Sequence, residues 1–208
     1  RGLGDVYKRQ KLMIITFQLG HKLAKADLTK PIDISLETKE KTGFKAWYSP
    51  AVTSNVIRGE NFIGSVKEGG SVNFKEVMIN PHANMTHTES VGHISKEEVP
   101  VNRVLNRFHF IAQLISVKPT LMEGNLEKPI QKGDLCILKS AIEDKINPRA
   151  EAIIIKTQPN LEELKTKNYD GTNWPYLHPK TAAYIREKGI RHLLICLLYT
   201  SPSPRDSS

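Results

Sequence analysis

Two short runs constrain the fold of this chain more than anything else in it. Residues 151–157, E-A-I-I-I-K-T, and residues 133–140, G-D-L-C-I-L-K-S, are almost continuously apolar over their centres. Half-buried strands alternate; runs like these suit strands buried on both faces, with other structure packed above and below. Further strands are expected at residues 33–38, where apolar and polar residues alternate after Pro31, and at 44–48 and 52–57, separated by Ser-Pro. Residues 62–66 and 69–74 read as strands joined by Gly-rich turns, 108–117 as a longer strand closed by Lys-Pro, and 190–195 as a last apolar strand. One helix stands out over 179–189. Pro179 fits its first turn, Ala182, Ala183 and Ile185 line one face, and Gly189 suits its stop. A second, short helix is expected over 161–167, and 122–132 reads as a loop. The sum is an α/β domain, sheet-rich with few helices.

The chain has 208 residues, 39% hydrophobic and 25% charged, which suits one globular domain and excludes low-complexity and disordered classes. No apolar run approaches the roughly 20 residues that span a bilayer. Cys136 and Cys196 make neither a disulfide framework nor a C-x-x-C zinc pattern, and Cys136, mid-strand, reads as core. A soluble, cytoplasmic protein with no membrane partner is therefore expected. The net charge of +8 suggests nucleic acid. Its distribution does not, because Lys and Arg are interleaved with Glu over 37–41 and 162–167, and no basic-aromatic motif appears. No nucleic-acid partner is expected. Residues 1–10 and 196–208 resemble translated sequencing-adapter sequence, and an apolar run leads abruptly into a Ser/Pro tail there. Residues 11–195 are read as the domain, with the two ends as non-native additions.

The chemistry sits in residues 80–94, N-P-H-A-N-M-T-H-T-E-S-V-G-H-I. His87, Glu89 and His93 are separated by even numbers, which in an extended chain places them on one face. Two imidazoles and a carboxylate form a ligand set for zinc or manganese at a hydrolytic site. His82 lies five residues before His87, so it faces the other way in a regular strand and joins only through a bulge or turn, which Pro81 and Asn84 permit. The competing reading is a set of exposed polar side chains on a surface strand.

This segment resembles the signature H-x-G-T-H-x-D-x-P-x-H of the cyclase family, metal-dependent hydrolases that include bacterial kynurenine formamidase and isatin hydrolase. Thr86 and His87 match its T-H, Glu89 stands at its Asp and His93 at its last His. Residues 28–35 resemble the family's opening strand, and 176–195 its later helix-strand unit. The resemblance implies a swivelling β/β/α domain. It implies metal ligands His87 and Glu89, with His82 as a shifted third, and His93 as the catalytic proton carrier.

The departures are specific. The family's first ligand falls on Ala83, its Gly on Met85 and its Pro on Val91. Its remaining His and Glu ligands lie beyond the point where the tail begins, so the chain is expected to be part of a longer enzyme. A divalent ion at the site would lower the pKa of bound water from roughly 15.7 to about 7 and deliver hydroxide to a carbonyl. The expected activity is thus metal-dependent hydrolysis of a small-molecule amide, arylformamidase-like, on a formamide or cyclic amide. His93 would pass a proton to the leaving nitrogen. It could also serve as a ligand or a hydrogen-bond partner of one. A homodimer is a candidate assembly. The alternative function is a catalytically silent cyclase-fold protein that binds a small molecule or serves a structural role, favoured by Ala83 and Met85. Trp174 is read either as core or as a wall for an aromatic substrate.

Overall fold

The structure, a computed structural model, describes residues 13–124 and 127–196. The chain divides into two compact units at Ser35 and Leu36. In the first, β1 (Ile14–Leu19) and β2 (Lys22–Asp27) form an antiparallel hairpin in which Leu19 faces Lys22 across a two-residue turn. Gly20 takes the positive φ of 67° that this turn requires. The strand expected over 33–38 does not form. The Asp27 carboxylate accepts from the amide and hydroxyl of Thr29, and Asp33 does the same for Ser35. Such local bonds fold the backbone into turns and take its donors away from a ladder.

The second unit carries the two apolar runs. β3 (Thr53–Val56) pairs antiparallel with β6 (Lys75–Met78), and β4 (Arg58–Gly59) with β5 (Phe62–Ile63). The loop of residues 69–74 therefore precedes the strand that the sequence placed there. Gly64 and Gly70 close it tightly, since a Cβ on either would lie about 2 Å from the Phe74 or Ile63 carbonyl oxygen. Two short helices follow, α1 (Pro81–Asn84) and α2 (Val101–Val104). β7 (Ala112–Val117), β10 (Ala152–Thr157) and β12 (His192–Ile195) then form a parallel sheet with β10 in the middle. β8 (Thr120–Leu121), β9 (Leu135–Ile137) and β11 (Tyr176–Leu177) form a second sheet around β9.

Both apolar runs are thus central strands. Ile153 and Ile155 of β10 and Ile137 of β9 meet Ile115, Ile142, Leu177, Tyr184 and Ile185 in one buried cluster. The helix α3 (Pro179–Glu187) covers it. His178 caps α3 by accepting from the Lys180 amide, and Gly189 closes it at φ 74°. The buried Thr181 hydroxyl donates to the Ile137 carbonyl at 2.8 Å, tying α3 to β9. Cys136 is fully buried in a second cluster with Ile130 and Tyr176.

Two expected elements are shorter or different. Residues 161–167 hold a 3-10 turn (Glu162–Lys165) in place of a helix. Residues 44–48 hold a turn, with one isolated bridge from Lys45 to Asn168, in place of a strand. Trp47 and Tyr48 adopt φ of 59° and 51°, which no strand allows. The Asp170 carboxylate accepts the Tyr48 amide at 2.7 Å and holds that turn. The readings of residues 1–10 and 197–208 lie outside the described residues. Cys196, grouped with the tail by its sequence, extends the β12 ladder through its amide to the Ile155 carbonyl. No helix among the described residues is long and apolar enough to cross a membrane.

Candidate metal centre

The segment that carries the histidines leaves β6 at Met78 and is built from three small devices. The first is α1. The Asn80 side chain caps it by accepting the His82 amide at 3.1 Å, and Pro81 supplies its first residue with a preset φ. One turn of helix makes Ala83 and Asn84 the inward positions and leaves His82 half exposed. The second device is an extended stretch from Met85, whose φ of −151° and ψ of 158° suit any residue. The Gly of the related signature is not needed in this backbone. The third is a 3-10 turn, Val91–His93, capped by Ser90, which accepts the Gly92 amide. The Ser90 hydroxyl donates to the Val99 carbonyl.

These devices bring His82, His87 and His93 around one carboxylate. His87 Nε2 lies 3.0 Å from Glu89 Oε1, His82 Nδ1 lies 3.7 Å from the same oxygen, and His93 Nε2 lies 3.6 Å from Oε2. The His82 and His93 rings stack at 4.4 Å, and the His87 ring stands edge-on to His82 at 4.7 Å. The convergence differs in origin from the one the spacing suggested. Glu89 and His93 meet as an i, i+4 pair across the 3-10 turn, and not along an extended strand. His82 joins through the helical turn, which overcomes its wrong parity.

The arrangement can take up a cation or a proton. His87 Nδ1 faces the Met85 carbonyl at 3.0 Å, an acceptor that places the ring proton on Nδ1. Nε2 then turns a lone pair towards the Glu89 carboxylate at 3.0 Å, and two acceptors at that distance need a cation or a proton between them. Burial, with His87 and His93 alongside, pushes His82 below its ordinary pKa against the pull of Glu89, which keeps its imidazole neutral and able to ligate. His82, Glu89 and His93 can each offer one atom such that all three lie within 4.8 Å of one another. His87, outside that triad, approaches the carboxylate closest. Two oxygens and up to three imidazole nitrogens fit zinc or manganese, and ligands at about 2.1 Å on an octahedral ion sit about 3 Å apart when adjacent.

Asn80 and Asn84, which the motif did not single out, help to hold the cluster. The buried Asn84 accepts the Asn80 amide on Oδ1 at 3.0 Å, and its Nδ2 donates to the Pro50 carbonyl at 3.4 Å. Thr86 Oγ1 accepts the Leu36 amide at 2.9 Å. The Asn80-Pro81 pair was the available signal, as an N-cap followed by a first-turn proline. Beyond Pro50, Trp47 and Trp174 pack at 5.1 Å, both partly exposed, with Tyr169 at 6.0 Å from Trp174. Trp174 is therefore part of an aromatic cluster at the surface, and not of the deep core.

No curated protein and no solved structure matches the chain. One family model, described as "Putative cyclase", matches residues 26–197, a span that contains the histidine segment, both three-stranded sheets and α3. That match covers most of the chain and agrees with the sheet-rich α/β architecture, so this chain belongs to the cyclase family.

Proposed function

We propose that this protein is a metal-dependent hydrolase of amide bonds, arylformamidase-like, acting on a small-molecule formamide or cyclic amide. The observation that carries the reading is the gathering of three imidazoles around the single carboxylate of Glu89. His87 and Glu89 would hold a zinc or manganese ion, with His82 in the place that the family motif gives to residue 83. Ala83 itself is fully buried and could offer nothing there. A bound divalent ion supplies a polarised carbonyl and an acidified water. The Met85 carbonyl orients the His87 ring, so that Nε2 would be free to hold the ion. Glu89 would balance the ion's charge, and its two oxygens span the imidazoles. His93, the most exposed of the three at 50%, stands at the open side of the cluster, 3.6 Å from Glu89. An imidazole there can hand a proton to the leaving nitrogen.

The test pairs metal content with hydrolysis of an N-formylaniline. The reading expects stoichiometric zinc or manganese, loss of the ion in His87→Ala and His82→Ala, and retention of the ion with loss of turnover in His93→Ala. Metal bound in the absence of turnover supports the catalytically silent alternative. No metal at all overturns the site. Loss of the ion in His87→Ala but not in His82→Ala removes His82 from the ligand set.

A further inference from the structure

We infer that Asn84 is the positioning residue of this centre, acting through His82. The inference rests on the proposed metal site and adds a residue to it. Asn84 is the one buried polar side chain of the histidine segment, 2% exposed, and it lies two residues from the imidazole with the least support from sequence spacing. Its amide spends both ends on backbone. Oδ1 accepts the Asn80 amide at 3.0 Å, across the first turn of α1, and Nδ2 reaches the Pro50 carbonyl at 3.4 Å, 34 residues away in sequence. Asn80 in turn accepts the His82 amide at 3.1 Å. The two asparagines thus brace a helix of only four residues from both ends, and a helix that short is not stable by its own hydrogen bonds.

The consequence is geometric. An off-parity histidine reaches the carboxylate only if residues 81–84 hold helical backbone; any relaxation to extended chain swings His82 away from Glu89. Asn84 supplies the bond that fixes this turn to a separate, well-packed segment. Phe44, Ala46 and Val52, on either side of Pro50, are all buried, so the Pro50 carbonyl is a firm anchor. A residue of the same size without the amide would fill the space and lose the brace.

The experiment uses the full chain and two measurements. Zinc affinity is taken for the parent, Asn84→Leu, His82→Ala and the double variant, with thermal unfolding recorded for each. Positioning residues behind metal ligands typically cost roughly ten- to hundredfold in affinity. Asn84→Leu should weaken zinc by that factor in the parent background and by less than about twofold on the residual affinity that His82→Ala shows at high zinc, because the two act through one ligand. Equal reductions in both backgrounds would show a merely structural role and overturn the inference. The second measurement needs no metal: nuclear Overhauser cross-peaks between the ring protons of His82 and His93, stacked at 4.4 Å, in the metal-free protein. They should vanish in Asn84→Leu and return in Asn84→Gln only if its longer amide regains both backbone partners. Cross-peaks that persist in Asn84→Leu overturn the positioning role even if the parent binds no zinc. If the parent binds no zinc but Asn84→Leu still abolishes the cross-peaks, the metal site falls and the positioning of His82 by Asn84 stands.

Discussion

Tyr176 shows how much one buried hydroxyl can report. It is 5% exposed and donates to the buried Asp134 carboxylate at 2.5 Å, while Asp134 also accepts the Gln131 amide. Burial first, then the neighbouring Asp134 and Cys136, push the Tyr176 phenol far above its ordinary value. A phenol that resists ionisation when folded contributes stability that is complete below its unfolded pKa of about 10 and is lost as pH climbs past it. Tyr176→Phe should cost about 1.5–3 kcal/mol near neutral pH, the usual value of a hydrogen bond to a charged group. The gap between parent and variant in denaturant unfolding should then narrow above about pH 10. A gap that stays constant to high pH would dismiss the bond as the cause. Ala83 gives a second prediction. The family motif would place a ligating His there, but this residue is fully buried. Ala83→His should therefore destabilise by about 1–3 kcal/mol, as overpacking does, and leave zinc affinity no tighter. Tighter zinc binding in that variant would show that the backbone can return to the family register.

Among elements, the 3-10 turn Val91–His93 is tightly constrained. A Cβ on Gly92 would lie 2.7 Å from both the amide nitrogen and the carbonyl oxygen of Val99, closer than real Cβ contacts come. Backbone cannot fold aside as a side chain can, so Gly92→Ala must move the turn that holds His93 against Glu89. The expected result is a weaker zinc site with turnover lost, in a protein that still unfolds cooperatively; unchanged zinc affinity and turnover would mean the turn has slack. The sequence marked side chains that cluster here but not how they meet. Parity along a strand chose His87, Glu89 and His93, while the actual contacts come from a helical turn and a 3-10 turn. Short turns of this kind leave no periodicity to read; the Asn80-Pro81 pair marks the first in sequence, whereas Ser90 is recognisable as a cap only once its turn is known. The β1–β2 hairpin went unread for a different reason. Its strands are mostly exposed, so no strong apolar contrast marks them, although Gly20-His21 between alternating runs was a turn signal. Residues 151–157 and 133–140 were legible because burial on both faces demands continuous apolar sequence.

At the scale of the molecule, the question is whether the proposed metal centre belongs to the cooperative fold or hangs beside it. All four clustered side chains come from twelve consecutive residues, none of them in either three-stranded sheet. Two tethers argue that the segment is nonetheless part of the second unit: Asn84 to Pro50 and the Leu36 amide to Thr86. An ion that binds only the folded site stabilises by mass action, about 2.7 kcal/mol at a hundred times its dissociation constant. If the segment unfolds together with the core around Ile153 and Ile155, that energy should raise the main thermal transition by roughly 5–10 °C for a chain of this size. His87→Ala should abolish the rise. Ile153→Ala, which opens a cavity in the core and should cost about 2–5 kcal/mol, should lower the transition and leave the metal-induced increment intact, because the two sites share no contact and their effects add. A metal that protects residues 80–99 from proteolysis without moving the main transition would instead mark the segment as a locally unfolding unit, ordered by its ion rather than by the sheets.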